Sequence, residues 1–297
     1  MASIQSYDVH HLIGFQVGTA TILRELGRGS MAIVFLAFQQ TLKRQIAVKI
    51  LPKVMMTARA AERFQQEAEA AAILSHPNII PIYEVGETPE FLFMSMQLIQ
   101  GRDLAREIQD IQRHPLPSRR ILPLERTLAI VIQVLEALDY AHQQGIVHRD
   151  IKPANILIES HTQRPLISDF GTARFLKGDD AGKDLLQGTP LYMAPEQITG
   201  TNVDRRADVY AAGVMLFQMA AGTLPLPEYD SPMDLLKHKK DAVEGIFRQK
   251  PSALNPNLNV KMDQIIEKAV AHHPGKRFGT CAAFANALRW YQKNCLR

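Results

Sequence analysis

Cysteine is scarce in this chain: only Cys281 and Cys295 occur in 297 residues. That number and spacing exclude a disulfide framework and a cysteine zinc site, and a reducing, cytoplasmic setting is the simplest expectation. Charge of one sign is not concentrated either. The formal net charge is +4 and no long Lys/Arg block occurs, so no nucleic-acid partner is expected. Long apolar runs are missing as well. The most membrane-like stretch, 207–226, contains Asp208, Gln218 and Pro225, and reads as a buried core helix in place of a membrane segment. Met1 to His10 has neither a basic start nor an apolar centre, so no signal peptide is expected. One further absence is local: the fifteen residues 173–187 contain no Ser, Thr or Tyr, which removes phosphorylation within them as a way of ordering that stretch.

What is present is an ordinary globular composition, 46% hydrophobic and 22% charged, in a chain long enough for two lobes with a sizeable core. β-Branched and apolar runs predict strands at 21–26, 33–38, 45–51, 80–85 and 91–97. Ala61, Phe64, Ala68, Ala71 and Ala72 fall at helical spacing within 58–74, and His76-Pro77 stops that helix. Beyond Gly101 the pattern turns helical, first at 103–113 and then at 122–144, where Gly145 ends the helix. The organisation read from this is a lead-in over 1–20, a strand-rich lobe over about 21–100, a hinge at Gly101 and a helical lobe over about 101–297.

Chemistry is concentrated in a few short stretches. Residues 148–155 read His-Arg-Asp-Ile-Lys-Pro-Ala-Asn, and Asp169-Phe170-Gly171 begins nineteen residues after Asp150. Asp150 can take or orient a hydroxyl proton, Asn155 and Asp169 offer hard oxygen ligands, and Lys152 adds positive charge where a phosphoryl group would travel. Upstream, Leu26-Gly27-Arg28-Gly29 opens a turn that leads to Val34, and Lys49 follows Gly29 by twenty residues. Taken alone, the glycines make a hairpin turn and Lys49 is an edge-strand lysine reaching for water. Taken together, they make a cradle whose backbone approaches phosphates closely.

In this order and spacing the motifs resemble the eukaryotic-type (Hanks-type) serine/threonine protein kinases, of the kind also found in bacteria, from about Thr21 to the C-terminus. The resemblance implies an α+β, protein-kinase-like bilobal fold: a small antiparallel β-sheet lobe with one main helix, and a larger, mostly α-helical lobe. It implies that ATP lies under Gly27 and Gly29, between Leu26, Val34, Ala47 and Leu157, with Met96 at the back and Gln97 to Ile99 along the adenine edge. Lys49 would clamp the phosphates and pair with Glu67, a choice the family pattern makes over Glu62 and Glu69. Asp150 and Lys152 would serve catalysis, and Asn155 and Asp169 would bind Mg²⁺, with Mn²⁺ as an alternative ion. Thr189 and Glu196 would belong to the substrate segment, Arg277 would pair with Glu196, and Asp208 would anchor the catalytic loop. Lys152 and Ala194-Pro195-Glu196 favour Ser/Thr-containing protein substrates over small molecules. The resemblance leaves room for a homodimer. The chain departs from the family at Ala32, where a third glycine is usual; a positive φ there would be strained. Arg149 commonly holds a phosphorylated loop in such enzymes. Here Asp179, Asp180 and Asp184 either supply fixed negative charge to it or form a solvated turn, and the two readings stand equal.

Overall fold

The computed structural model of the chain describes residues 4, 8–29, 32–56, 61, 65, 68, 71–170, 190–200 and 203–296. Apart from Phe170, which belongs with the first part, the described chain divides after Gln100 into two compact units. The boundary coincides with Gly101, where the sequence places a hinge. A Cβ there would lie 2.1 Å from the carbonyl oxygen of Ile158, so only glycine fits this close backbone approach.

The first unit is one antiparallel sheet. Its strands are β1 (Gln16–Val17), β2 (Ala20–Arg28), β3 (Ile33–Gln39), β4 (Arg44–Pro52), β5 (Ile82–Glu87) and β6 (Phe91–Gln97), in the order β1-β2-β3-β4-β6-β5. The period of two in β3, β4 and β6 sorts their side chains onto two faces. Ile33, Phe35, Ala37, Ile46, Val48, Ile50 and Phe93 build the core on one face. Leu51, Leu92 and Met94 cluster with Ala68 on the other, where Ala61 packs against them. Ala61, Gln65, Ala68, Ala71 and Ala72 are helical, in line with the helix read over 58–74; its other positions, Glu62, Glu67 and Glu69 among them, lie outside the described residues. The segment ahead of Thr21, read as a lead-in, is built into this unit. Val9, Leu12 and Val17 are buried in the first core, and β1 pairs with the start of β2.

The second unit opens with β7 (Gly101–Asp103) and α1 (Leu104–Gln112). Asp103 caps α1 by accepting the N–H of Arg106 at 2.9 Å, which satisfies one of the unpaired donors of the first turn. The long α2 (Leu124–Gln143) stops where Gly145 takes φ 77°, a left-handed conformation suited to glycine. Strand β8 (Ile156–Glu159) pairs with β7 on one side and with β9 (Pro165–Ile167) on the other, giving a three-stranded sheet. Helices α3 (Pro195–Thr199), α4 (Arg206–Ala221), α5 (Pro232–Asp241), α6 (Pro251–Leu254), α7 (Val260–Ala269) and α8 (Cys281–Cys295) complete the unit. Apolar on every side, α4 is buried almost throughout and packs against α2 and α7, as a helix without a polar face must. This is the stretch read as a core helix; no helix among the described residues is long and apolar enough to cross a membrane.

Candidate active site

The site is organised around the carboxylate of Asp150. Its Oδ2 accepts from Lys152 Nζ at 2.7 Å and from Asn155 Nδ2 at 3.0 Å. Asn155 Nδ2 also donates to the Asp150 backbone carbonyl at 2.7 Å. Two consequences follow. Among the described residues both side-chain bonds fall on Oδ2, which leaves Oδ1 of Asp150 to accept a proton from outside. With its amide hydrogens turned toward Asp150, Asn155 offers Oδ1 to a cation. Short local geometry produces this arrangement. Pro153–Asn155 forms a single 3-10 turn, with Pro153 fixing its start, and the turn returns Asn155 to the residue five positions earlier.

Two buried side chains hold the loop that presents Asp150. Asp208, on α4, accepts the backbone N–H of His148 at 2.9 Å and that of Arg149 at 2.7 Å. His142, at the end of α2, approaches the same carboxylate at 2.7 Å. Burial would raise the Asp208 pKa, but the hydrogen bonds from His142 and the Arg149 backbone outweigh it and hold the carboxyl below its ordinary range. His148 is fully buried. Its Nε2 lies 2.8 Å from the Ser168 carbonyl, which can only accept, so Nε2 carries the proton; Nδ1 accepts the Asp150 N–H at 3.2 Å. Ser168 in turn donates its N–H and hydroxyl to the Asn155 carbonyl. This chain of bonds links the Asp150 loop to Asp169, the next residue. Arg149 and Asp169 take φ of 67° and 62°, a conformation that costs energy for any residue but glycine and collects at functional sites.

The residues that the resemblance places around ATP fall mostly across the strands of the first unit. Val34 faces Lys49 across β3 and β4, Lys49 faces Met94, and Ala47 faces Met96 across β4 and β6. Strand alternation therefore puts Val34, Ala47, Lys49 and Met96 on one face of the sheet, opposite the core that holds Phe35 and Val48. Lys49 is buried at 9% exposure. Gly27 pairs with Val34, and a Cβ on it would meet nothing within 4 Å. The Gly29 N–H closes onto the Ala32 carbonyl at 2.8 Å. Ala32 is not among the described residues with positive φ, so the missing third glycine brings no backbone strain. Leu26 is exposed on β2. Gln97 ends β6 and gives its N–H to the Pro81 carbonyl, while Ile99 lies past the strand. Leu157 lies on β8, opposite Leu166. Gly171, Thr189 and the stretch 173–187 lie outside the described residues.

The segment that the resemblance assigns to the substrate is held by Arg277. Arg277, fully buried, makes a two-pronged bond to Glu196 at 2.7 and 2.8 Å, and also donates to the carbonyls of Arg206, Ala271 and His272. The planar guanidinium fits a carboxylate in this way. The sequence reading did not pick out Gln197, which bridges two segments: its Oε1 accepts the Ala194 N–H and its Nε2 donates to the Arg149 carbonyl at 2.8 Å. Its position directly after Ala-Pro-Glu was the available signal. His142 was missed too, although a lone histidine six residues before His148 was visible in the sequence. No three His, Cys, Asp or Glu side chains converge as a metal site among the described residues. A cation here would therefore depend on Asn155, Asp169, phosphate oxygens and water, a coordination suited to Mg²⁺.

The Protein kinase domain family model matches residues 20–288. The chain is 35% identical to the serine/threonine-protein kinase PknF of Mycobacterium tuberculosis over 90% of its length, which is 55% of that protein. It is 36% identical to the serine/threonine-protein kinase pkn3 of Myxococcus xanthus over 90% of its length and 49% of that protein. It thus spans about half the length of these curated relatives. The crystal structure of the M. tuberculosis PknI kinase domain (C20A mutant) is 34% identical and aligns with a TM-score of 0.73, covering 94% of this chain and 97% of that one.

Proposed function

The chain belongs to the protein kinase domain family, as a Hanks-type serine/threonine kinase related to the bacterial Pkn enzymes, and from that premise we propose how its residues move a phosphoryl group. The domain uses ATP. The proposed reaction is attack of a Ser or Thr hydroxyl oxygen of a protein on the γ-phosphorus of ATP. The bond from that phosphorus to the β-bridging oxygen breaks, ADP leaves, and the hydroxyl proton passes to Asp150 Oδ1. Lys152, 2.7 Å from Oδ2, steadies the carboxylate and sets positive charge beside the phosphoryl group in flight. Lys49 would clamp the α- and β-phosphates from the sheet, with Glu67 as its partner. Asn155 Oδ1 and Asp169 would hold Mg²⁺, which neutralises phosphate charge when bound. Little covalent work falls to the protein, because the transition state is loose; positioning and electrostatics do most of it.

The observation that carries this reading is the single carboxylate shared by Lys152 and Asn155. It leaves one oxygen of Asp150 for a hydroxyl and one of Asn155 for a cation. Protein substrates are supported by Lys152 and by Glu196, held beneath the substrate segment by Arg277. A cytoplasmic location belongs to the same proposal and is supported by the two free thiols, one of them buried. The test supplies γ-labelled MgATP with dephosphorylated casein in one series and a panel of small alcohols and amino sugars in the other. Label on casein serine and threonine supports the proposal. Label on the small molecules alone would make the chain a small-molecule phosphotransferase, and nucleotide binding without transfer to either would make it a binding module.

A further inference from the structure

Lys239 is a charged side chain that the motifs leave without a role, yet it is 1% exposed. From α5 its Nζ donates to the backbone carbonyls of Leu191 at 2.5 Å and Met193 at 2.7 Å. It also lies 5.1 Å from the centre of the Tyr210 ring, and Arg277 approaches that ring at 4.8 Å. No carboxylate pairs with Lys239 among the described residues. Between the two carbonyls, the Tyr192 hydroxyl bonds Gln218 on α4. Residues 191–193 are therefore fastened alternately, by backbone to α5 and by side chain to α4.

An ammonium buried without a counter-ion is expensive, and burial, with the Arg277 charge adding to it, pushes the Lys239 pKa down to about 7. An apolar side chain of the same length would fill the space at less cost, since replacing buried ions by apolar residues is often neutral or stabilising. What an apolar chain cannot do is hold two carbonyls. The amine retains at least two N–H groups in either protonation state, enough for both. The groups it holds belong to the stretch leading into Ala194-Pro195-Glu196 and have no contact role in ATP binding in the account above.

We propose that Lys239 is a positioning residue for the protein substrate: by gripping the backbone of Leu191 and Met193 it sets the shape of the substrate segment. The inference rests on the kinase reading of that segment. It separates two properties that a purely structural lysine would leave coupled, because substrate affinity should depend on Lys239 while ATP affinity should not.

The test compares wild type with Lys239→Met, which removes every donor, and Lys239→Gln, which keeps an amide donor, using a degenerate Ser/Thr peptide and MgATP. Lys239→Met should raise the peptide KM by about tenfold, the scale of one hydrogen bond to a charged group. Lys239→Gln should fall between it and wild type, and the KM for ATP should stay within about twofold in both. Unchanged peptide KM in both variants overturns the proposal. So does a parallel rise in both KM values, or failure of both variants to fold, since either result makes Lys239 a support of the whole unit. A wild-type protein that labels no peptide would instead overturn the kinase reading itself.

Discussion

Asp208 and Lys239 hold backbone in opposite ways within one unit. The carboxylate collects two N–H groups from the loop that presents Asp150 and has His142 as a third partner. The lysine collects the carbonyls of Leu191 and Met193 and has an aromatic face beside it. Both are buried, yet their pKa values respond differently. Donors around Asp208 overcome the cost of burial and keep it in its charged form. The neutral dipoles around Lys239 do not, and it is pushed toward its neutral form. The difference lies in the partners: Asp208, beneath the Asp150 loop, gathers donors, whereas Lys239, beneath residues 191–193, has only neutral acceptors and feels the Arg277 charge. Arg277 makes the point from a third position, since it is a buried cation with a carboxylate of its own in Glu196.

The largest break in this comparison should come from Asp208→Asn. One amide oxygen must replace two carboxylate oxygens, and the amide N–H₂ would face donors, leaving a loop N–H without a partner. We expect a loss of about 3 kcal/mol in urea unfolding, together with a fall in kcat. Lys239→Met in the same assay at pH 6 should change stability by no more than about 1 kcal/mol, because relief of a buried charge offsets two lost hydrogen bonds. Equal losses in the two variants would erase the distinction.

A smaller effect should appear with pH. The Lys239 pKa in the fold, about 7, lies below its ordinary 10.5. Between these values the unfolded chain holds a proton that the folded chain has released, so stability should rise with pH across that window. Below it both states are charged and the full cost is present. Tyr192 and Tyr210 act in the other direction above about pH 10, because burial keeps their hydroxyls protonated past the ordinary tyrosine range. Unfolding midpoints between about pH 6.5 and 9.5 should therefore climb less in Lys239→Met than in wild type; parallel curves would show that Lys239 does not titrate in this window.

The comparison also marks what could be read from sequence. Asp150 and Asn155 stand together in one short motif, whereas Asp208, Glu196 and Arg277 were picked out by the family resemblance, and the structure puts Asp208 on the loop amides and Arg277 on Glu196. The helix read over 207–226 runs Arg206–Ala221, while those read over 103–113 and 122–144 were legible to within a residue or two at each end, as Leu104–Gln112 and Leu124–Gln143. Lys239 was not legible, because its carbonyl partners lie 46 and 48 residues away; helical spacing puts it on the face of Leu235 and Leu236 but does not tell what it holds. β1 escaped because two residues carry no alternation, and β7 to β9 because three or four residues barely do. The buried lead-in escaped because Val9 stands singly between Asp8 and His10, Leu12-Ile13 is a pair too short to show a period, and their burial depends on a sheet made later in the chain.

The most direct test of the account is transfer by Asp150→Asn. Wild type and variant, matched in unfolding midpoint, are given γ-labelled MgATP and dephosphorylated casein, and the label on serine and threonine is followed over time. Wild type should label steadily and the variant about 10²- to 10⁴-fold more slowly, the range for losing a positioned proton acceptor, with ATP still bound. Labelling by Asp150→Asn at the wild-type rate would contradict the account.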